Sequence, residues 1–295
     1  GPMLWDQADH LQTANRYLGH WVWEPFHQER DFSFRPKLIS GLVAIEFSLT
    51  NHRTYAFFVP YLLILGSGWQ IQRFVEEQGG KIWSLLAVTL VLTMPTMMMY
   101  GRTVYLEAMV TGGFILIIRD VLLTNISNLN EKDAIRWGII SSLVGSIKYP
   151  YLYLGPGGLI LLYGFSKNLR LMGIYVAGWI LIQAPFAIVD FFDHNNAFAS
   201  FGPQFSGAIT SITSEVGDYT PGIALNDIQS QLLTPLLILF IIGLVIWLRE
   251  NLQLRGSIVL LLILPATILF TFALDFGWPR YHIPWLTALT VIGIS

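Results

Sequence analysis

The chain contains no cysteine, so it can form neither a disulfide nor a zinc site built on thiolates. Charged residues are scarce as well: they make up 12% of the 295 residues, about half of the fraction typical of soluble domains. The net charge is −2, and the absence of a basic stripe or tail gives no indication of nucleic-acid binding. Apolar residues are abundant at 54%, and the mean hydropathy is +0.55. This composition is typical of a protein that crosses a membrane several times.

The apolar segments predict an all-α fold, a polytopic transmembrane helical bundle with interfacial helices on its outer face. Residues 1–52 are predicted to form a first extracytoplasmic loop with interfacial helices, and residues 53–295 are predicted to form the bundle. The segment 37–50 is predicted to be an interfacial or half-buried helix. A polar segment over 190–229 is predicted to be a long outer loop. The chain stops inside an apolar run, and we expect it to be truncated at both ends. The predicted spans lie near 53–74, 82–100, 104–123, 136–147, 151–165, 169–189, 230–248, 257–274 and 281–295.

The distribution of Lys and Arg predicts the orientation of this bundle. If the spans alternate, the side that holds residues 1–52 receives Arg102, Lys148 and Arg280 from the later loops. The opposite side receives nine Lys and Arg residues. Short loops rich in Lys and Arg typically face the cytoplasm. The first side is therefore predicted to be extracytoplasmic, and it also holds every histidine. The opposite set comprises Arg73, Lys81, Arg119, Lys132, Arg136, Lys167, Arg170, Arg249 and Arg255.

Three cations at outer span ends run against this bias and predict a binding site. Arg102, Lys148 and Arg280 could bind a phosphate, since Arg offers a bidentate fork and Lys a point charge. The alternative is that each side chain reaches toward lipid headgroups. Their aromatic and polar neighbours complete the candidate substrate-binding set: Tyr149, Tyr281 and His282.

Carboxylates on the same side are the candidate catalytic groups. Asp6 or Glu107 could serve as a base beside an acceptor, while Arg35 and the three cations offset charge on a leaving phosphate. The alternatives are a capping or solvated loop role for Asp6 and an ion pair with Arg102 for Glu107. The histidines show no metal-ligand spacing and are predicted to be solvated or interfacial. Solvated loop charges are expected at Glu76, Glu77, Glu131, Lys132 and Asp133.

Several short motifs occur in an order that resembles a known family. They are Trp5-Asp6-Gln7-Ala8-Asp9-His10, Phe34-Arg35-Pro36-Lys37-Leu38, Met94-Pro95, Tyr100-Gly-Arg-Thr-Val-Tyr-Leu-Glu107, Ile147-Lys148-Tyr149-Pro150 and Pro279-Arg280-Tyr281-His282-Ile283-Pro284. Over nearly the whole chain, this order resembles the C-type membrane glycosyltransferases. The nearest group is the superfamily of dolichyl-phosphate-mannose protein mannosyltransferases and aminoarabinose transferases.

The resemblance implies that a sugar moves from a polyprenyl-phosphate carrier to an acceptor outside the cytoplasm. It matches Asp6 to the aspartate that assists the acceptor, Glu107 to a second acidic residue, and Arg35 to the basic residue that contacts the carrier phosphate. Lys148 and Arg280 match further basic elements of the family. Gln7 stands where many members have an acidic residue, so a divalent metal is possible but not indicated. Asp9 is a possible substitute in the catalytic set.

These observations predict an inverting glycosyltransferase in a plasma (inner) membrane or, alternatively, the endoplasmic reticulum. Its predicted partners are membrane lipids, the polyprenyl-phosphate sugar donor and a glycan, lipid or protein acceptor. No certain cofactor is predicted apart from this donor. One rival hypothesis is a lipid or solute transporter or flippase, for which the expected internal repeat is missing. Another is a non-catalytic membrane partner in glycan assembly.

Overall fold

The computed structural model describes residues 4–19, 37–52, 56, 58–94, 97, 106–199, 234–268 and 282–295. Within these ranges almost every residue is helical and no strand occurs. The all-α class predicted from the sequence is therefore confirmed for the described part of the chain. The prediction of a helix over 37–50 is also confirmed, at Lys37–Thr50.

The described helices follow one another with short connections, except where undescribed segments intervene. A 3₁₀ turn over Tyr149–Tyr153 separates α6 from α7, and a π-helical segment over Val259–Ile263 joins α10 to α11. The helices are α1 Leu4–Tyr17, α2 Lys37–Thr50, α3 Phe58–Gly79, α4 Lys81–Leu92, α5 Leu106–Leu123, α6 Glu131–Ile147, α7 Leu154–Ser166, α8 Leu169–His194, α9 Thr234–Glu250, α10 Leu252–Ile258, α11 Leu264–Ile268 and α12 Ile283–Ile294.

One described helix is long and apolar enough to cross a membrane. Its candidate span is Leu169–Phe192, with 24 residues and a hydropathy of 1.8. Only 11% of an apolar 18-residue stretch of this helix lies buried inside the protein, as expected for a helix that faces lipid along much of its length. Other apolar helices, at Lys81–Leu92, Leu252–Ile268 and Ile283–Ile294, are shorter. The described helices therefore support membrane association through α8.

Small residues bring α6 and α8 into close contact. Ser142 donates a hydrogen bond to the Trp179 carbonyl at 2.8 Å, and the Gln183 amide donates to Ser146 Oγ at 2.9 Å. A Cβ atom added at Gly178 would lie 2.7 Å from the Ile135 carbonyl oxygen. Small side chains permit such approaches, and hydrogen bonds between helices can hold them in an apolar surrounding. This seam fixes α6, which ends at the candidate site.

The start of α6 differs from the predicted span boundary because polar side chains extend this helix. The Asn130 side chain accepts hydrogen bonds from the first turn of α6, and Asp133 completes a capping box. Glu131, Lys132 and Asp133 are therefore helical, and the prediction that they are loop charges is wrong. The same holds for Glu76 and Glu77, which lie in the last turn of α3.

The outer loop predicted over 190–229 begins later than expected. α8 continues to His194, so Asp190 is a helical residue. The turn that follows reaches residue 199, and the rest of the predicted loop lies outside the described residues. Asp190 is also buried, with 4% exposure, and does not belong to a solvated loop.

Candidate functional site

Ion pairs join several helix ends at one end of the described bundle, which we call the ion-paired end. There the last turns of α3 and α5 meet the first turns of α6, α8 and α10. The last residue, Ser295, lies beside Gly79, so the end of α12 also lies there. The polar contacts are Glu77–Arg119 at 2.7 Å, Asp120–Arg136 at 2.7 Å, Glu131–Arg170 at 2.6 Å and Gln78–Arg255 at 3.3 Å.

The opposite ends of these helices carry residues that the sequence predicts for the site, and we call this the site end. Lys148 directly follows α6, which starts at the ion-paired end. Glu107 lies in the first turn of α5, which finishes at the ion-paired end. His282 immediately precedes α12, whose last residue lies at the ion-paired end. Residues far apart in the sequence are thus carried on the same end of the helices.

The predicted carboxylates Asp6 and Asp9 both lie on α1. Asp6 is in the first turn of this helix, so the alternative of a loop position is wrong. The helix packs on α2 through His10, whose Nδ1 lies 2.9 Å from Ser40 Oγ. Because both partners are fully buried, this contact fixes how α1 lies on α2.

The histidines at the site end are less exposed than predicted. His10 is 0% and His282 is 1% exposed, so neither is solvated as one of the predicted alternatives has it. The His282 ring meets Trp285 edge to face, with 5.5 Å between the ring centroids. The structure describes the side chain of one further histidine, His52, which is exposed. Burial of imidazole depends on contacts distant in sequence, which spacing alone does not reveal.

Lys148 and Tyr149 occupy the break between α6 and α7. Lys148 has an extended backbone, and its amide still donates to the Val144 carbonyl at 3.3 Å. Both residues are half-buried. Beyond them the buried Tyr151 ring packs edge to face on Phe114 of α5, with centroids 5.9 Å apart. Lys148 therefore lies at the edge of the core, in the break between two helices.

A buried carboxylate that was not singled out from the sequence caps α3. Glu46 accepts hydrogen bonds from the amides of Phe58 and Val59 at 3.0 and 2.8 Å. Negative charge at a helix N-terminus is favourable because it meets unsatisfied N–H groups and the positive end of the helix dipole. Glu46 lies in α2, so the signal was absent from the sequence around α3.

A second contact missed from the sequence is a buried ion pair between Lys37 and Asp190. Their side chains are 5% and 6% exposed. Lys37 is the first residue of α2, and Asp190 lies near the end of α8. The pair therefore connects the start of α2 to the last part of α8 at the site end.

Part of the predicted site falls outside the residues that the structure describes. Arg35, Arg102, Arg280 and Tyr281 lie outside the described residues. For Asp6, Asp9 and Glu107, the structure places the helix positions but does not describe the side chains. Within the described part of the chain, no group of three His, Asp or Glu side chains is arranged to hold a metal ion.

We found no match to a family model, a curated protein or a solved structure. The likeness to membrane glycosyltransferases therefore rests on the order of the sequence motifs.

Proposed function

We propose that the protein is an integral membrane glycosyltransferase that uses a polyprenyl-phosphate-linked sugar on the extracytoplasmic face. The observation that carries this proposal is the separation of the two helix ends. One end holds basic residues in ion pairs, while the other carries Glu107, Lys148 and His282 on neighbouring helices. Such an arrangement suits a reaction that takes place at one face of a membrane.

The surface of the described helices supports insertion of more than α8 into lipid. Leu62 and Leu65 on α3 are 64% and 68% exposed, and Ile82 on α4 is 81% exposed. On α9, Ile241 and Ile246 are 54% and 57% exposed. Large contiguous apolar surfaces are unfavourable in water. A multi-pass arrangement in an inner or endoplasmic reticulum membrane would place these side chains in lipid.

Fixed positive charge at the site end would stabilise the leaving group. Cleavage of the bond between the sugar and the carrier oxygen leaves a phosphate with growing negative charge. Cations stabilise such charge most strongly in a partly dehydrated cleft. Lys148 would contribute one charge from its position at the edge of the core, and Arg35, Arg102 and Arg280 are the further candidates. Tyr149, Tyr281 and His282 are proposed to line the same subsite.

The proposed chemistry is a single displacement at the anomeric carbon. An acceptor hydroxyl forms the new glycosidic bond as the bond to the phosphate oxygen breaks. The acceptor proton passes to Asp6, and the polyprenyl phosphate leaves with the bonding electron pair. Glu107 is the second catalytic carboxylate, and Asp9 is an alternative acidic group on the same helix as Asp6. A glycan, lipid or protein would supply the acceptor hydroxyl, and the anomeric configuration would invert.

A direct assay can test this proposal against its rivals. The protein in lipid nanodiscs is incubated with polyprenyl-phosphate hexose or pentose and a panel of hydroxyl acceptors. We expect sugar to appear on an acceptor and polyprenyl phosphate to be released in equal amounts. Movement of intact donor or solute across proteoliposomes, without cleavage, would instead establish a transporter. Neither cleavage nor movement would favour a non-catalytic partner in glycan assembly.

A further inference from the structure

The start of α12 is buried, and the residue that precedes it does not cap it. Ile283, Trp285 and Leu286 in the first turn are 1%, 3% and 3% exposed. The first amides of a helix have no partner within the helix, so side chains, water or ligands normally satisfy them. His282 holds the capping position, but its side chain makes no capping hydrogen bond. The start of α12 therefore presents buried hydrogen-bond donors that His282 leaves unsatisfied.

The His282 ring adds two more polar atoms to this buried helix end. His282 is 1% exposed, and neither Nδ1 nor Nε2 has a hydrogen-bond partner among the residues that the structure describes. The ring meets Trp285 edge to face, and the Trp285 Nε1 atom likewise has no described partner. Buried polar groups of this kind are unfavourable unless they are hydrogen-bonded. Binding of a polar ligand at this helix end would satisfy them together.

The grouping of such atoms distinguishes α12 from the other described helices. Single buried indole nitrogens without a described partner occur elsewhere, at Trp137, Trp179 and Trp247. An indole alone is therefore weak evidence for a site. On α12, however, the hydroxyls of Thr287 and Thr290 are also buried without a described partner. Buried hydroxyls on other helices bond to the preceding turn, as Ser146 does to the Ser142 carbonyl at 2.8 Å.

The donors at the start of α12 favour an oxyanion as the ligand. Helix amides and the indole nitrogen can only donate hydrogen bonds, and a neutral imidazole supplies one further donor. The positive end of the helix dipole favours negative charge at the same place. A phosphate group offers several acceptor oxygens to such a set of donors. This helix end also lies at the site end, because the last residue of α12 lies beside Gly79 at the ion-paired end.

We propose that the start of α12 binds the oxyanion of a lipid-linked phosphate, with His282, Trp285 and the first helix amides as hydrogen-bond donors. A polyprenyl phosphate and the headgroup of an anionic phospholipid share this chemistry. The site itself is inferred from the buried atoms alone. Its use for the phosphate that leaves the sugar rests on the proposed function, in which His282 is a binding residue.

Binding can be measured without any transfer reaction. The chain in phosphate-free maltoside micelles is titrated with a short-chain isoprenyl phosphate and, separately, with phosphatidylglycerol. Calorimetry gives each Kd, and NMR of isotopically labelled histidine reports the state of the His282 ring. His282→Phe and Trp285→Phe remove one donor each and retain an aromatic ring. Trp137→Phe is the matched control, because the Trp137 indole is 0% exposed and its nitrogen also lacks a described partner, but it lies on α6.

We expect the two site variants to lose affinity and the control to keep it. Loss of one hydrogen bond to a charged group weakens binding by roughly tenfold or more, so Kd should rise by that factor in His282→Phe and Trp285→Phe. Trp137→Phe should leave Kd unchanged. His282→Gln retains a donor and should bind more tightly than His282→Phe; it also identifies the His282 signal and serves where the phenylalanine variant does not fold. In the unchanged chain, this signal should shift during the titration.

The possible results separate the site from its role in transfer. Equal Kd values in the unchanged chain, His282→Phe and Trp285→Phe, or a His282 signal that does not shift with either lipid, would overturn the site. Tighter binding of phosphatidylglycerol than of isoprenyl phosphate, with dependence on His282, would support the site but assign it to a phospholipid headgroup. Binding of isoprenyl phosphate that depends on His282, in a chain that transfers no sugar, would support the site and overturn the proposed function.

Discussion

Gly138 of α6 lies directly against the backbone carbonyl of Tyr175 in α8. A Cβ atom at position 138 would overlap this carbonyl oxygen and would lie 3.1 Å from the Trp179 amide nitrogen. Backbone atoms cannot move aside as flexible side chains can, so the approach of the two helices requires glycine here. A hydrogen bond of 2.8 Å between the Tyr175 hydroxyl and Ser141 Oγ also joins these two helices.

Gly138→Ala should therefore destabilise the contact between α6 and α8. We expect a loss of about 1–3 kcal/mol, the usual range for an overpacked interior, measured as a lower thermal unfolding temperature in detergent. Gly173→Ala on α8 is the matched control, because a Cβ atom there meets nothing within 4 Å. The greater helix propensity of alanine should leave the stability of this variant unchanged or slightly higher. Equal effects at the two positions would contradict close packing at Gly138.

Single cysteines should report opposite sides of the membrane for the two helix ends. Lys132 and Gln253 are exposed near the ion-paired end, and His52 and Asn196 are exposed near the site end. In oriented vesicles, cysteines at the first two positions should react with an impermeant reagent only from the cytoplasmic side. Cysteines at the other two should react only from outside. Labelling of all four from one side would contradict the multi-pass arrangement.

Glu46→Gln should weaken the start of α3. The neutral amide can still accept one hydrogen bond, but it no longer provides negative charge to the Phe58 and Val59 amides. Loss of a helix cap costs about 0.5–2 kcal/mol, which denaturant or thermal unfolding can detect. Glu76→Gln in the last turn of the same helix is the control and should be neutral or slightly stabilising, because negative charge is unfavourable there. A larger loss of stability in Glu76→Gln than in Glu46→Gln would contradict the capping role of Glu46.

The helices were largely predictable from sequence, whereas the contacts that build the site were not. Apolar runs and local signals such as the Asn130 cap lie within a few residues of the elements they define. The pairing of Lys37 with Asp190 instead depends on the packing of two helices that are distant in the chain. Burial of His10 likewise depends on Ser40 in another helix. Nothing in the spacing of these residues encodes either contact.

Removal of a predicted catalytic carboxylate should abolish most transfer while the fold persists. We expect Glu107→Gln and Asp6→Asn each to lower kcat by about 100-fold or more, in the range for a positioned acid–base group. Glu131→Gln is the matched control, because this carboxylate also begins a helix but lies at the ion-paired end. Full transfer in Asp6→Asn would rule out this residue as the base, and a comparable loss in Glu131→Gln would point to a general effect on folding.

Lys148→Gln distinguishes a phosphate-binding lysine from one that anchors in lipid headgroups. If Lys148 donates a charge-assisted hydrogen bond to the donor phosphate, its loss should weaken donor binding by about 1.5–3 kcal/mol. Titration of polyprenyl phosphate into the nanodisc-bound protein measures this change, and raised salt should weaken binding less in the variant than in the unchanged chain. Arg170→Gln is the control, since Arg170 is highly exposed at the opposite end and should not affect donor affinity. An anchoring role predicts small and equal effects of both substitutions on membrane insertion. Unchanged donor affinity in Lys148→Gln would therefore exclude Lys148 from the proposed phosphate site. Binding of the phosphate would then fall to Arg35, Arg102 and Arg280.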